Sequence, residues 1–240
     1  MDRERYDLLD AYMHKRMRGA DGAHDCEHVY RVLGVALDVA ASEPEADVDV
    51  VIAACLLHDI ARRDQLRDKH VCHAALGAEK AEKFLVKNDF DEDFARRVAE
   101  CVRTHRFRKG DAPQSIEAQI LYDADKIDVC GATGIARTLL YQGHSNGALY
   151  AVRPDGSLAD GLGEKGETFF GEYKRKLEGI YCRLFTARAR EIARERQAAA
   201  RAFYQSMLAE VYASREKGIE LLQKQLAGGN SRVELQAPPF

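Results

Sequence analysis

Apolar residues recur at three- and four-residue spacing along most of the chain, and no alternating run of β-branched residues bounded by hairpin turns interrupts them. The pattern predicts an all-α protein. Helices are expected over about 3–18, 26–42, 48–62, 70–87, 91–106, 115–128, 131–142, 168–187 and 188–226. In the second of these, Val29, Leu33, Ala36, Leu37 and Ala40 form one stripe headed by His28, the mark of a helix with a single core-facing side. The third is apolar all round from Val50 to Leu57, so it is expected at the centre of the domain, and it runs directly into His58-Asp59. Six of the 18 glycines fall between Gly143 and Gly166, beside Pro154, Asp155, Ser145 and Asn146, which predicts a flexible loop or a lid over 143–166. Residues 1–227 read as one helical domain, with helices at 168–226 closing it and a flexible tail over 228–240.

Composition narrows the class. The 240 residues carry 36 Lys+Arg against 39 Asp+Glu, a net charge of −3, which argues against a surface for polymeric nucleic acid. The arginines between Arg183 and Arg201 are interleaved with Glu191 and Glu195, a solvated face rather than a polyanion site. With 46% hydrophobic residues the chain can build a core. Its longest apolar run, Val50 to Leu57, falls far short of the roughly 20 residues that span a bilayer, so no membrane contact is expected. The opening Met-Asp-Arg-Glu-Arg lacks a secretory apolar segment, and Cys26, Cys55, Cys72, Cys101, Cys130 and Cys182 are too scattered for a zinc knuckle. Both features fit a cytoplasmic protein with reduced, mostly buried thiols.

The chemistry gathers where the apolar third helix ends. An unpaired carboxylate there, Asp59, would cost several kcal/mol if buried, so a cation must compensate it. His58 and Asp59 point about 100° apart on a helix and can flank an ion without enclosing it. His28 on the preceding helix and the acidic residues of Leu121-Tyr-Asp-Ala-Asp-Lys-Ile-Asp128 are the natural further donors. Two imidazoles and two carboxylates leave positions open on a six-coordinate divalent ion, as water activation requires.

These residues resemble the signature of the HD-domain phosphohydrolase superfamily: a His, a His-Asp dipeptide and a distant Asp, here His28, His58-Asp59 and Asp125. The flanks are similar too, in His24-Asp25-Cys-Glu-His28-Val-Tyr-Arg31-Val32, in Leu56-Leu57-His58-Asp59-Ile60-Ala61-Arg62, and in Asp123-Ala124-Asp125-Lys126-Ile127-Asp128 followed by Gly131-Ala-Thr-Gly-Ile-Ala-Arg137. Tyr173 to Val211 looks like the C-terminal helices of bacterial stand-alone members. The resemblance implies a helical bundle with additional C-terminal helices and a divalent metal, Mn first, with Mg, Fe, Co, Ni or Zn as alternatives. It also implies hydrolysis of nucleotides or similar small phosphorylated substrates by metal-activated water, with pyrophosphate release from nucleoside triphosphates as the first specific activity. His28, His58, Asp59 and Asp125 are the implied metal ligands, with Asp59 also catalytic. Asp125 is chosen over Asp123 and Asp128 because it matches the family's Ala-Asp-Arg/Lys-Leu pattern. The rival reading is a catalytically silent regulatory module that binds nucleotide.

Other side chains carry two readings each. Arg62, four residues after His58 and so expected on the same helical face, is either a phosphate contact or a complement to the helix dipole. Arg31 reads as a structural partner of a nearby Asp, and Asp25 as a helix N-cap. His105, near Arg108 and Lys109 at a helix end, is assigned to substrate binding, and His70 to structure. His73, in a stretch resembling that of two-metal family branches, is equally a ligand or a structural imidazole. His24 has no assigned role.

Overall fold

Short polar side chains set where the helices begin. Asp2, Asp25, Asp47, Asp91 and Ser115 each accept a hydrogen bond from a backbone N–H in the turn that follows, satisfying donors a helix start leaves open. The computed structural model describes residues 1–19, 25–107, 112–144, 146–163 and 167–227. These form α1 (Arg3–Met17), α2 (Cys26–Ala40), α3 (Val48–Leu57), α4 (Arg62–Arg67), α5 (His73–Lys87), α6 (Glu92–Thr104), α7 (Ile116–Ile127) and α8 (Gly131–His144). After the loop come a short α9 (Phe169–Glu172), α10 (Ala187–Val211) and α11 (Lys217–Leu226). Among the described residues there is no strand, only two isolated bridges within and beside the 146–163 loop. None of the helices is long and apolar enough to cross a membrane.

The all-round apolar helix α3 lies at the centre, packed against α1, α2, α6 and α7, and Val50, Val51 and Ala53 to Leu57 are all fully buried. This core takes one face of each surrounding helix, from Leu9 and Met13 in α1 to Ile120 and Leu121 in α7. A second apolar cluster joins Ile135 of α8, Phe169 and Phe170 of α9, and Tyr204 and Leu208 of α10, with Tyr173 and Tyr204 stacked at 4.2 Å. The loop packs on that second cluster. Leu158 is buried in it, Tyr204 donates a 2.6 Å hydrogen bond to the Asp160 carbonyl, and Gly161 (φ +94°) passes so close to α9 that a Cβ would sit 2.2 Å from the Phe170 oxygen. Cys55, Cys101 and Cys130 are buried, Cys26 is half-buried, Cys72 and Cys182 are exposed, and no two are joined.

Two expected helices differ. The one expected over 48–62 stops at Leu57; a turn with i to i+3 bonds follows (Ile60 N–H to Leu57 O, 3.4 Å; Arg62 N–H to Asp59 O, 2.9 Å), and Arg62 opens the separate α4. No Gly or Pro forces this break, so tertiary packing of the His-Asp turn overrides local propensity. The helix expected over 168–187 is broken into α9, a π turn (Tyr173–Leu177), a 3₁₀ turn (Ile180–Arg183) and an extended stretch at Leu184 to Thr186. The cause lies on α7. Buried Asp123 accepts from the N–H groups of Phe185 and Thr186 and from the Thr186 hydroxyl, at 2.8–3.1 Å, and so holds the backbone extended before α10. Smaller differences are the end of α8 at His144 and the start of α5 at His73. The tail over 228–240, His24, Arg108, Lys109 and part of the loop lie outside the described residues.

Candidate metal centre

Four side chains separated by up to 97 positions converge where α2, α7 and the turn after α3 meet. His28 Nε2 lies 3.3 Å from His58 Nε2, 3.5 Å from Asp125 Oδ1 and 3.8 Å from Asp59 Oδ2, and His58 Nε2 is likewise 3.8 Å from Asp59 Oδ2. His28, His58 and Asp59 are buried, Asp125 half-buried.

The outer ring nitrogens fix the proton positions. His58 Nδ1 sits 2.7 Å from the Cys55 carbonyl, which can only accept, so the proton is on Nδ1 and Nε2 is a bare lone pair. His28 Nδ1 sits 2.7 Å from Asp128 Oδ2, and the Asp128 carboxyl, whose burial alone would raise it, is held below its ordinary range by bonds from His28 and Arg31. It too accepts only. Two bare nitrogens therefore face each other at 3.3 Å beside two carboxylates, a repulsive set that a cation resolves. The donor set of two imidazoles and two carboxylates suits a first-row divalent ion. Burial keeps His28 below the ordinary imidazole pKa despite Asp128, so the ring is neutral as a ligand must be. Burial pushes Asp125 up, but the charge of Lys126 (Nζ to Oδ2, 2.7 Å) leads the contributions that outweigh it and hold the carboxyl well below the usual range.

A second cluster adjoins the first. Asp59 turns its other oxygen, Oδ1, toward His73 Nε2 at 3.2 Å and His105 Nε2 at 3.8 Å, and those two nitrogens are 3.3 Å apart. His105 Nδ1 donates to the Val102 carbonyl at 2.6 Å, leaving Nε2 bare, and burial beside His58 and His73 pushes its pKa down to about 3. His73 Nδ1 lies 2.5 Å from Gln65 Oε1, which only accepts, and 3.3 Å from Arg62 Nη1, which only donates, so its two neighbours call for opposite tautomers. Sequence reasoning placed His105 with substrate and left His73 undecided; the structure brings both onto Asp59, because α5 and α6 pack side by side and present their ends together. His70 is exposed and outside the cluster. Arg62 does not share a helix with His58; it reaches the site from the start of α4, beside His73.

Asp128 and Asp123 are buried supports. Asp128 also pairs with Arg31 at 2.8 Å and Arg137 at 2.6 Å, and Asp25 caps α2 through the His28 N–H at 2.9 Å. A cleft of about 750 Å³ opens onto Asp59, His73, His105 and Asp125. Arg62, Arg106, Lys126 and Arg137 line it, as do Arg175, Lys176 and Arg183 from the broken segment before α10, against the acids Asp59, Asp125, Glu167 and Glu172. That excess of cations suits a phosphorylated ligand. None of the described residues of the 146–163 loop lines the cleft.

Residues 26–130, which hold all four converging side chains, match the HD domain. A predicted HD superfamily hydrolase from an uncultured Thermotogales bacterium superposes with a TM-score of 0.59 at 29% identity, covering 85% of this chain and 91% of its own. The chain thus carries an HD domain over residues 26–130. A crystal structure from Lactobacillus plantarum shares the fold (TM-score 0.71, 23% identity, 89% of this chain and 99% of that one). So does Bacillus subtilis YpgQ crystallised with ADP (TM-score 0.66, 24% identity, 85% and 93%). In sequence, the uncharacterized protein YpgQ of Bacillus subtilis is 28% identical over 177 residues, 72% of this chain and 77% of YpgQ. An HD hydrolase fold supports a metal-dependent phosphohydrolase in general.

The buried neutral imidazoles of this HD domain make acid sensitivity predictable in the metal-free protein. His28, His73 and His105 bind protons less readily folded than unfolded, so the unfolded chain gains protons first as pH falls through about 6.5, and stability falls with it. Each such imidazole removes on the order of 1 kcal/mol per pH unit below that point. Asp125 and Asp128, lowered in the fold, add a further loss below about pH 4. Thermal unfolding of chelator-treated protein should show the midpoint falling from pH 7 to pH 5; a flat profile would contradict this protonation scheme.

Proposed function

We propose that this chain is a divalent-metal-dependent phosphohydrolase acting on nucleotides or similar small phosphorylated substrates, with pyrophosphate release from nucleoside triphosphates as its reaction. The observation that carries the reading is the pair of bare Nε2 atoms of His28 and His58, 3.3 Å apart and bordered by Asp59 and Asp125. These four residues hold the ion, for which Mn²⁺ is the first candidate and Mg, Fe, Co, Ni and Zn are alternatives. When bound, such an ion lowers the pKa of a water toward neutrality and offsets charge on phosphoryl oxygens. The chain's own residues do the rest. Asp59 accepts a hydrogen bond from the attacking water and orients it; Asp128 keeps the proton of His28 on Nδ1; Arg62 and Lys126 at the cleft floor bind phosphate oxygens. The ADP bound in the YpgQ crystal supports a nucleotide as ligand.

A second reading is favoured by the Asp59, His73 and His105 cluster, in which the ligand atoms lie within 4.8 Å of one another. In this reading Asp59, His73 and His105 would hold a second ion beside the first, and His105 would be a ligand rather than a substrate contact. One experiment addresses both readings. Protein stripped with chelator and reloaded with Mn²⁺ is analysed for metal per chain and for product release from a panel of nucleoside mono-, di- and triphosphates. Hydrolysis is expected only after reloading, with one equivalent or two separating the readings. If no panel member is cleaved above the stripped background with Mn²⁺, Mg²⁺ or Co²⁺, the hydrolase reading fails.

A further inference from the structure

The cations of the cleft account for phosphate, but they do not account for Phe107. This residue follows His105-Arg106, lines the cleft and leaves 41% of its surface open to solvent. Its backbone has φ +26°, outside the region that L residues favour. The described residues include two other non-glycine positions with positive φ, Asp89 and Asn146, whose short polar side chains tolerate that conformation. An aromatic residue has no such tolerance, and backbone strain of this kind persists where the surroundings hold a side chain in a useful place.

Those surroundings are two other rings. Phe107 lies 6.1 Å from Tyr122 and 6.4 Å from Phe185, which pack edge-to-face on each other at 5.2 Å. The Phe107 N–H is fixed by the Thr104 carbonyl at 3.0 Å. The ring thus packs against two others on the cleft wall and keeps part of its surface open. Tyr122, also on the cleft wall, stands one helical turn before Asp125 on α7, with Lys126 Nζ 5.0 Å from its ring centroid and 2.7 Å from Asp125 Oδ2. The aromatic ledge therefore begins within a turn of a proposed metal ligand and next to a cation suited to phosphate.

We infer that Phe107 is the stacking platform for the nucleobase of the substrate. This rests on the hydrolase reading and sharpens it, because a ring held open beside the phosphate site selects a nucleotide over a simple phosphorylated metabolite or inorganic polyphosphate. Stacking on one aromatic face tolerates any base, so the platform sets the class of substrate, and other contacts choose among bases.

The chain has no tryptophan, which provides a direct test. Phe107→Trp introduces a single fluorophore on the ledge. Titration of the Mn²⁺-loaded variant with ADP should quench its emission saturably, whereas inorganic tripolyphosphate should leave the emission unchanged yet shift the ADP curve to higher concentration. In calorimetry, Phe107→Leu should weaken ADP binding about 5- to 150-fold, and Phe107→Tyr should restore most of it. Emission that ignores ADP while calorimetry reports binding, or that responds equally to tripolyphosphate, overturns the platform and leaves the hydrolase reading standing. Absence of ADP binding to the wild type also overturns it, and the nucleotide panel then decides separately whether the hydrolase reading survives.

Discussion

Alanine at position 59 should remove nucleotide hydrolysis to background and, in the same preparation, cost the protein its tightly held metal. The two oxygens of Asp59 face both imidazole pairs, Oδ2 toward His28 and His58 and Oδ1 toward His73 and His105. Deleting it strips a donor from either cluster and the hydrogen-bond acceptor proposed for the attacking water. The loss should exceed the 10- to 100-fold typical of changing a residue that only supports a ligand. Stability should move differently. Asp59 is a nearly buried carboxylate just past the C-terminal end of α3, where the helix dipole disfavours negative charge. The metal-free variant should consequently melt no lower than metal-free wild type, a separation of function from stability expected of an active-site residue. Metal analysis and melting curves check both parts; full activity in the variant would remove Asp59 from the mechanism.

Asp128→Ala should give the second large effect, by another route. The side chain is buried and touches no proposed ion position, yet it fixes the His28 tautomer and pairs with Arg31 and Arg137. Arg31 is partly open to solvent, so water can replace much of its partner. Arg137 is only 8% exposed and would lose a carboxylate 2.6 Å away, and removing one side of a buried pair costs about 3–5 kcal/mol. Metal affinity should fall about 10- to 100-fold because the His28 ring loses its orientation. Asp128→Asn, which keeps an acceptor for Nδ1 but not the charge, should recover more of the affinity than of the stability. Equal recovery of both would mean that the tautomer lock and the ion pairs are one effect.

How much of this was legible in the chain depends on how local each signal is. The apolar run of α3 and the stripe of α2 follow from periodicity, the set of His28, His58, Asp59 and Asp125 follows from resemblance to the HD signature, and the structure brings those four together. Asp25 as a cap was likewise readable, since it rests on one helix turn; an acidic partner for Arg31 was expected, but that it is Asp128, 97 positions away, was not. The placement of Arg62 by helical face was not. It assumed that α3 continues past His58, and the turn there comes from packing that no residue type at 58–61 announces. The break before α10 was hidden for a related reason: the acceptor that holds Phe185 and Thr186 extended is Asp123, 62 and 63 positions away. His73 and His105 lie 32 positions apart, and only the side-by-side packing of α5 and α6 makes them neighbours.

The two apolar clusters also separate the site's duties. Every proposed metal ligand stands on elements of the α3-centred core, as does Lys126, whereas Arg175 and Lys176 come from the π turn whose Tyr173 and Leu177 belong to the second cluster. Substitutions far enough apart to share no partner combine almost additively. Part of the substrate range can consequently drift in descendants of this chain through Arg175 and Lys176, while the ion pocket is inherited unchanged.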